Sequence, residues 1–259
     1  MDGLILAAGF GSRLRSLFPS KPLALIRGVP LLEIAVRQLV SGGVARVVVV
    51  TGYNAEVIEE AAANIAARVP CEIVTTRVQD WEKPNGYSVM AGARLIEGNY
   101  LLVMCDHLLS TPIIKGLAGV HAKDRGVTLA IDRGTSSSLI DLDDATWVET
   151  YDNGFIARIG KGLAKYDAVD CGAFLATPAL AQAIEEMIDQ GKPGSLSDGM
   201  QLLADRGQAA TLDVSGAWWM DVDDPKAHGQ AEQLLDEGFS LLSSAIPQAA
   251  QPVLEDALA

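Results

Sequence analysis

The sequence is poor in cysteine and has no long apolar run. Its three cysteines, Cys71, Cys105 and Cys171, are odd in number and form no C-x-x-C pair. This argues against a disulfide framework and against a zinc site built from paired thiolates. No apolar stretch approaches the length of about 18 residues that spans a bilayer, and the first residues lack the basic segment of a signal peptide. We therefore expect a cytoplasmic protein with no integral membrane segment.

Basic residues are also scarce. The chain has 20 Lys and Arg residues against 33 Asp and Glu residues, and its formal net charge is −13. Because proteins that bind nucleic acid normally carry a basic surface, we expect no nucleic-acid partner. The excess of acidic over basic residues is unevenly distributed, since residues 1–50 contain six basic and two acidic side chains, a net charge of +4. The side chains that an anionic ligand would need are therefore concentrated early in the chain.

The length and apolar content predict one ordered domain. With 259 residues, of which 49% are hydrophobic, the chain can bury a full core, and disorder is not expected. No Pro/Gly/Ser-rich linker and no internal repeat interrupts residues 1–240, whereas residues 244–259 contain two prolines and no basic residue. We predict a single domain over residues 1–243 and a flexible acidic tail over residues 244–259.

Short apolar runs alternate with helical patterns in the first half of the chain. Strands are predicted at residues 3–8, 46–50, 72–76 and 100–105, and helices at 31–40, 55–68 and 88–95. This order is typical of β-α units that form a mostly parallel sheet, in which binding sites lie at the carboxyl ends of the strands. The second half is richer in strands, with a hairpin at 147–159, strands at 168–176 and 209–214, and helices at 178–189 and 225–242.

The first predicted strand continues into a Gly-rich loop, residues 6–14, with the sequence LAAGFGSRL. Glycines 9 and 11 allow backbone N–H groups to approach an oxygen-rich ligand, and Arg13 adds donors that suit phosphate. Lys21 is close enough in sequence to face the same ligand. The loop is neither a Walker motif nor a dinucleotide fingerprint. A G-x-G segment alone also fits a plain turn, but Arg13 and Lys21 behind a first parallel strand favour phosphate binding.

Three carboxylates are candidates for a metal site. Asp106 directly follows the predicted strand 100–105, and Asp221 and Asp223 follow a second apolar run. In an extended segment, alternate side chains lie on one face, so Asp221 and Asp223 can point the same way. Carboxylates that converge there would hold Mg²⁺, which prefers oxygen ligands and bridges phosphates. Each Asp also fits a helix cap or a solvated loop, and either Asp221 or Asp223 alone could ligate directly.

The Gly-rich loop followed by Lys21-Pro22 resembles the signature of the sugar-phosphate nucleotidyltransferases. The resemblance covers about residues 1–235 and continues through the segments NGYS (85–88), MCDH (104–107), IGK (159–161), YDAVDCG (166–172) and WMDVD (219–223). The Asn-Gly-Tyr-Ser, Asp-His and Gly-Lys elements are most similar to the inositol-1-phosphate cytidylyltransferase branch. In archaeal and some bacterial homologues this branch is fused to a membrane alcohol phosphotransferase. We expect a stand-alone enzyme without that membrane half.

The resemblance implies a Rossmann-like α/β fold of the GT-A type, with a mostly parallel sheet flanked by helices and a β-rich acceptor-binding lobe. It implies a Mg²⁺-dependent reaction of CTP, or another nucleoside triphosphate, with a small phosphorylated acceptor. Inositol 1-phosphate is the preferred acceptor, and CDP-inositol and pyrophosphate are the expected products. Phosphocholine, an aminoalkyl phosphonate and a sugar 1-phosphate stay open as acceptors, and so does a homodimer.

The resemblance also implies roles for individual residues. Arg13, Lys21 and Lys161 would neutralise charge during catalysis. His107, Lys161 and Asp170 would contact the acceptor, and His107 is not needed as a base because a phosphate monoester is already mostly dianionic at pH 7. The expected nucleotide-binding residues are Leu6, Ala7, Ala8, Gly9, Gly11, Ser12, Arg13, Gly52, Tyr53, Asn85, Gly86 and Ser88.

Two other classes of protein remain as alternatives. The first is a catalytically silent homologue that binds nucleotide to regulate, and the presence of Arg13, Lys21 and Asp106 argues against it. The second is a GT-A glycosyltransferase, which would be expected to show a D-x-D motif where this chain has Asp106-His107-Leu108.

Overall fold

The computed structural model describes residues 1–122, 125–136, 140–142 and 144–236. The predicted acidic tail, residues 244–259, lies outside the described residues, as does the end of the last predicted helix at Leu242. No helix within the described ranges is long and apolar enough to cross a membrane.

The described residues contain strands and helices in alternation, as the sequence predicts. The strands are β1 (Asp2–Leu6), β2 (Leu25–Ile26), β3 (Val29–Pro30), β4 (Arg46–Thr51), β5 (Glu72–Arg77), β6 (Tyr100–Met104), β7 (His107–Leu109), β8 (Val127–Asp132), β9 (Trp147–Thr150), β10 (Ile156–Gly160), β11 (Ala168–Ala176), β12 (Ala209–Asp213) and β13 (Trp219–Asp221). The helices are α1 (Leu31–Ser41), α2 (Ala55–Ala66), α3 (Gly86–Ala93), α4 (Thr111–Ala118), α5 (Pro178–Asp189), α6 (Leu196–Asp205) and α7 (Pro225–Asp236), and a 3-10 turn spans Lys21–Leu23.

Among the described residues, nine strands form the main sheet, with the order β10-β9-β11-β6-β1-β4-β5, and β8 joins β11 to β12. The strands β6, β1, β4 and β5 are parallel, and the central register pairs Gly3 with both Val47 and Leu101. Residues 47–50 are fully buried because helices cover both faces of a parallel sheet. The predicted Rossmann-like α/β fold of the GT-A type is confirmed. The strand-rich second half continues the same sheet through the antiparallel strands β11, β9 and β10.

In the part of the chain that the structure describes, three hydrophobic cores hold these layers together. On one face of the sheet, α1, α2 and α4 pack over side chains such as Ile5 and Val49. On the other face, α3, α5 and α6 pack over Leu4 and Val48. A smaller third core joins Leu14 at the end of the Gly-rich loop to the hairpin β2–β3, the pair β7–β13 and helix α7. The third core therefore connects segments from the beginning, middle and end of the described chain.

The two-stranded sheet β7–β13 determines which side chains meet at the carboxyl end of β6. Its antiparallel register pairs Asp221 with His107 and Trp219 with Leu109. Two further backbone hydrogen bonds extend the pairing, from Val222 N to Asp106 O and from Ser110 N to Trp218 O, both at 3.0 Å. Asp221 is consequently placed beside the Asp106-His107 pair.

Helix α3 lies so close to the sheet that Gly92 leaves no room for a side chain. A Cβ atom at this position would overlap Leu4 Cδ1 and lie 2.8 Å from Val50 Cγ2. We expect Gly92→Ala to lower the free energy of unfolding, because overpacking costs about 1–3 kcal/mol whereas the gain in helix propensity is at most about 1 kcal/mol. Urea denaturation measures the difference.

A matched control is Gly229→Ala in helix α7, where an added Cβ would meet no atom within 4 Å. This substitution should leave the free energy of unfolding unchanged or raise it by up to about 1 kcal/mol. Equal effects of the two substitutions would contradict the close packing of α3.

Candidate active site

Two adjoining cavities lie at the carboxyl ends of β1 and β6. The first cavity has a volume of about 320 Å³ and the second about 240 Å³. Both are lined by Asn85, Met104, Asp106 and Asp223, so these four residues stand where the cavities meet. A molecule in one cavity would therefore face a molecule in the other across Asp106 and Asp223.

Most of the residues expected to bind nucleotide line the first cavity. They are Leu6, Ala7, Ala8, Gly9, Gly11, Ser12, Arg13, Asn85 and Ser88, and Lys21, Asp106 and Asp223 join them. The residues expected to contact the acceptor line the second cavity instead. They are His107, Lys161 and Asp170, together with Asp221.

Gly52, Tyr53 and Gly86 lie outside the walls of these two cavities and support them from behind. Tyr53 N donates a hydrogen bond to Ala8 O at 3.0 Å. A Cβ atom on Gly52 would lie 2.9 Å from the same carbonyl oxygen, so the end of β4 packs directly against the Gly-rich loop. Gly86 likewise allows close packing, here of helix α3 against α5, since a Cβ atom there would lie 2.8 Å from Ile184 Cγ2.

Close packing against the Gly-rich loop positions Lys21 in the site. Gly11 has a positive φ of 61°, and a Cβ atom there would lie 2.6 Å from Lys21 Cβ. Glycine is therefore needed at this position both for its backbone conformation and for the close approach of Lys21. The 3-10 turn that begins at Lys21 then holds the side chain in place, with only 11% of it exposed.

The three predicted catalytic cations are brought together by shared carboxylates. Lys21 Nζ lies 2.5 Å from Asp106 Oδ2 and also contacts Asp223. Arg13 contacts Asp223 as well, and it contacts Asp144, which in turn contacts Lys161. The two cavities are thus connected by a continuous chain of opposite charges.

Asp106, His107 and Asp221 form a cluster of possible metal ligands where the two cavities meet. His107 Nδ1 lies 2.8 Å from Asp106 Oδ1 and 3.9 Å from Asp221 Oδ1. One possible ligand atom from each of the three residues lies within 4.8 Å of the others. Of the three predicted metal ligands, Asp106 and Asp221 therefore share this cluster, whereas Asp223 contacts Lys21 and Arg13.

The His107 ring is held between two other segments. It lies against Gly172, where φ is +70° and where a Cβ atom would be 2.6 Å from His107 Nε2. The Trp219 indole is nearly parallel to the ring, at a centroid distance of 6.3 Å. Trp219 is itself fixed, because its Nε1 donates a hydrogen bond to Asp132 Oδ2 at 2.9 Å. The orientation of His107 is consequently determined by β11 and β13.

Burial and charge shift the pKa values in this cluster. Burial alone would raise the pKa of Asp106, but Lys21 and His107 outweigh it and hold the pKa well below its usual value. Burial would lower the pKa of His107, but Asp221 and Asp106 raise it to about 9. Burial raises the pKa of Asp170 to about 6, against the hydrogen bond from Gly172 N. The Asp106 and Asp221 carboxylates thus favour a positive charge beside them.

The cluster fits a divalent metal ion. Two carboxylates supply the hard oxygen ligands that Mg²⁺ prefers. Asp221 Oδ1 is buried and has no hydrogen-bond donor among the described residues, so one oxygen is left for a cation. The donor set therefore agrees with the predicted Mg²⁺ cofactor.

Several residues that line the site have no sequence-based assignment to it. Among them, Trp81 and Lys83 line the first cavity, and Asp141 and Asp144 line the second. Lys83 lies two residues before the NGYS motif at 85–88, and this position was a usable signal. No nearby sequence pattern predicts that Trp81, Asp141 and Asp144 line the site, because their positions there depend on contacts with distant segments.

Comparison with known proteins finds a matching family and similar curated proteins. Residues 3–205 match the family described as the MobA-like NTP transferase domain. A "Bifunctional IPC transferase and DIPP synthase" from Rubrobacter xylanophilus is 33% identical over 234 residues, which cover 89% of this chain and 51% of that protein. The protein of the same name from Aquifex aeolicus is 32% identical, with 90% and 51% covered. The chain spans about half the length of these curated relatives.

The fold is shared with a solved structure of the inositol-1-phosphate CTP transferase from T. maritima. The two structures superimpose with a TM-score of 0.79 over 92% of this chain and 97% of that one, at 23% sequence identity.

Substitution of Asp106 tests the metal site. Asp106→Asn removes one anionic ligand and should weaken Mg²⁺ binding by about tenfold or more, since even residues behind the ligands contribute about 10–100-fold. Isothermal titration with Mg²⁺ measures the affinity, and circular dichroism checks the fold. Asp189→Asn, at an exposed position in α5, is the matched control and should bind Mg²⁺ like the wild type. Wild-type affinity in Asp106→Asn would show that the metal lies elsewhere.

Proposed function

The chain belongs to the MobA-like NTP transferase family, and we propose that it is a Mg²⁺-dependent cytidylyltransferase. In this proposal, CTP reacts with inositol 1-phosphate, or a similar phosphorylated polyol, to give CDP-inositol and pyrophosphate. The names of the curated relatives and of the T. maritima protein support this choice of substrates.

The observation that carries the proposal is the meeting of two cavities at Asp106 and Asp223, with cations on both sides. Arg13 and Lys21 line the first cavity, and Lys161 lines the second. A triphosphate and a phosphorylated acceptor are both anions, so a site that joins them needs positive charge in each cavity and at the junction.

The chemistry follows from this arrangement. An oxygen of the acceptor phosphate attacks the α-phosphorus of CTP, and the bond between that phosphorus and the oxygen bridging to the β-phosphorus breaks. Pyrophosphate leaves with the bonding electrons. No general base is required, because the second pKa of a phosphate monoester is about 6. The barrier lies in bringing two anions together, which Arg13, Lys21 and Lys161 lower by positioning and by neutralising charge.

Asp106 and Asp221, with Asp223 as a third candidate, would hold the metal ion. When bound, Mg²⁺ neutralises phosphate charge and orients the triphosphate. His107 then serves to position the Asp106 carboxylate, because its Nδ1 donates to Oδ1 while Lys21 contacts Oδ2.

The lining of the second cavity supports a polyol as the acceptor. Several carboxylates line it, including Asp141, Asp144, Asp170 and Asp221, alongside Lys161 and His107. Carboxylates accept hydrogen bonds from hydroxyl groups, and Lys161 can pair with the acceptor phosphate. Phosphocholine and an aminoalkyl phosphonate also carry a cationic group, which these carboxylates would attract.

A matrix of substrates tests the proposed reaction. CTP, UTP, ATP and GTP are each combined with inositol 1-phosphate, phosphocholine, 2-aminoethylphosphonate and glucose 1-phosphate, and pyrophosphate release is measured with Mg²⁺. We expect the fastest release with CTP and inositol 1-phosphate. Faster release with UTP and glucose 1-phosphate would reject the cytidylyltransferase proposal. No release from any pair would favour a catalytically silent homologue.

Two lysines on neighbouring turns test the role of the second cavity. Lys161→Ala should raise KM for the acceptor by roughly 10–100-fold, the loss of one charge-assisted hydrogen bond, while KM for CTP changes little. Lys165 is 84% exposed and pairs with Glu149, so Lys165→Ala should leave both constants unchanged. A larger effect on KM for CTP than for the acceptor would place Lys161 on the nucleotide side.

A further inference from the structure

Three aromatic side chains from different segments form a cluster at the edge of the first cavity. We call Phe10, Tyr53 and Trp81 the aromatic cluster. The Phe10 and Tyr53 rings meet edge to face at a centroid distance of 4.7 Å, and Tyr53 and Trp81 do so at 5.2 Å. Phe10 and Trp81 are nearly parallel at 6.0 Å. Such geometries are the favourable ones for aromatic pairs, so the three rings hold one another in place.

Two further features fix the cluster. The Arg15 guanidinium lies 4.3 Å from the centre of the Phe10 ring and 5.1 Å from that of Tyr53, which are cation–π distances. Gly52 lies beneath Trp81, and a Cβ atom there would be 2.5 Å from Trp81 Cβ. The indole is therefore held between the end of β4 and the Gly-rich loop.

Of these three aromatic residues, Trp81 lines the first cavity. The strand order places it away from Asp106 and the junction of the two cavities. Asp106 follows β6, whereas Trp81 packs on Gly52 at the end of β4, with β1 between the two strands. Since neighbouring strands lie about 4.8 Å apart, Trp81 is roughly 10 Å across the sheet from the strand that carries Asp106. The triphosphate belongs at Arg13 and Lys21, so the nucleoside must extend toward Trp81.

We infer that Trp81 forms the surface on which the nucleobase stacks, and that Phe10, Tyr53 and Arg15 position the indole for it. The inference rests on the proposed function, because it assumes that a nucleotide occupies the first cavity. Every base has a π-face, so stacking on an aromatic side chain adds affinity without choosing among bases. Trp81 thus contributes binding energy common to all nucleotides, and base choice depends on the polar groups of the same cavity.

Direct binding measurements separate the base from the phosphates. CTP and inorganic tripolyphosphate are titrated calorimetrically, with Mg²⁺, into the wild type, Trp81→Ala and Trp81→Phe. We expect Trp81→Ala to bind CTP about tenfold more weakly, which corresponds to about 1.4 kcal/mol, and to bind tripolyphosphate like the wild type. Trp81→Phe keeps an aromatic face and should retain most of the affinity. The affinities for UTP and ATP should fall by a similar factor.

Fluorescence gives a second measurement that a purely structural role would not affect. Trp147, Trp218 and Trp219 are at most 9% exposed, whereas Trp81 is half-buried at the cavity wall. We expect CTP to quench the emission of the wild type and tripolyphosphate to leave it unchanged. The CTP-dependent quenching should disappear in Trp81→Phe.

Controls separate this inference from the proposed function. Lys21→Ala should weaken both CTP and tripolyphosphate binding, because it removes a phosphate contact, whereas Phe10→Ala should weaken CTP binding alone. Unchanged affinity of Trp81→Ala for CTP would overturn the inference, as would an equal loss of affinity for tripolyphosphate. Failure of the wild type to bind any nucleotide would instead overturn the proposed function.

Discussion

The site depends on the mutual neutralisation of charges at one edge of the sheet. Asp106, Asp221 and Asp223 converge in a partly buried region, where three carboxylates would repel one another and lose hydration. Lys21 makes this arrangement stable, because its mostly buried ammonium group lies between Asp106 and Asp223. Arg13 adds a second positive charge beside Asp223. A polar ligand that enters the site must replace these contacts with contacts of equal strength, which phosphate groups and a divalent cation can do together.

The scaffold holds those charges at fixed positions. Leu14, which follows Arg13 in the Gly-rich loop, is fully buried in the third core together with Leu108 of β7 and Met220 of β13. Each of these apolar anchors lies within two residues of a charged or polar site residue. The register of β7 and β13 matters for the same reason, since a shift of one residue would turn Asp221 to the opposite face. The packing of the third core and the geometry of the candidate site are thus determined by the same short segments.

The sequence predicts the parts of this structure that carry a local signal. The buried strands β1, β4 and β6 are continuous apolar runs, and the Gly-rich loop with Arg13 and Lys21 is recognisable from residue types alone. Asp106 follows from its place at the end of β6. The three-residue strands β7 and β13 are too short to show a period, and helices α4 and α6 are missing from the sequence-based prediction. The position of Trp81 depends on Phe10 and Tyr53, which are distant in the sequence, so no local pattern reveals it.

The contact between Lys21 and Asp223 joins residues 202 positions apart in the chain. Closing so long a loop costs entropy before any contact offsets it, and long-range contacts of this kind form late. During synthesis, the segment through β7 contains the Gly-rich loop and Asp106, but Asp221 and Asp223 have not yet been made. A nascent chain at that stage holds half of a charge cluster. The complete charge cluster therefore arises only when β13 pairs with β7, after nearly all of the described residues have been made.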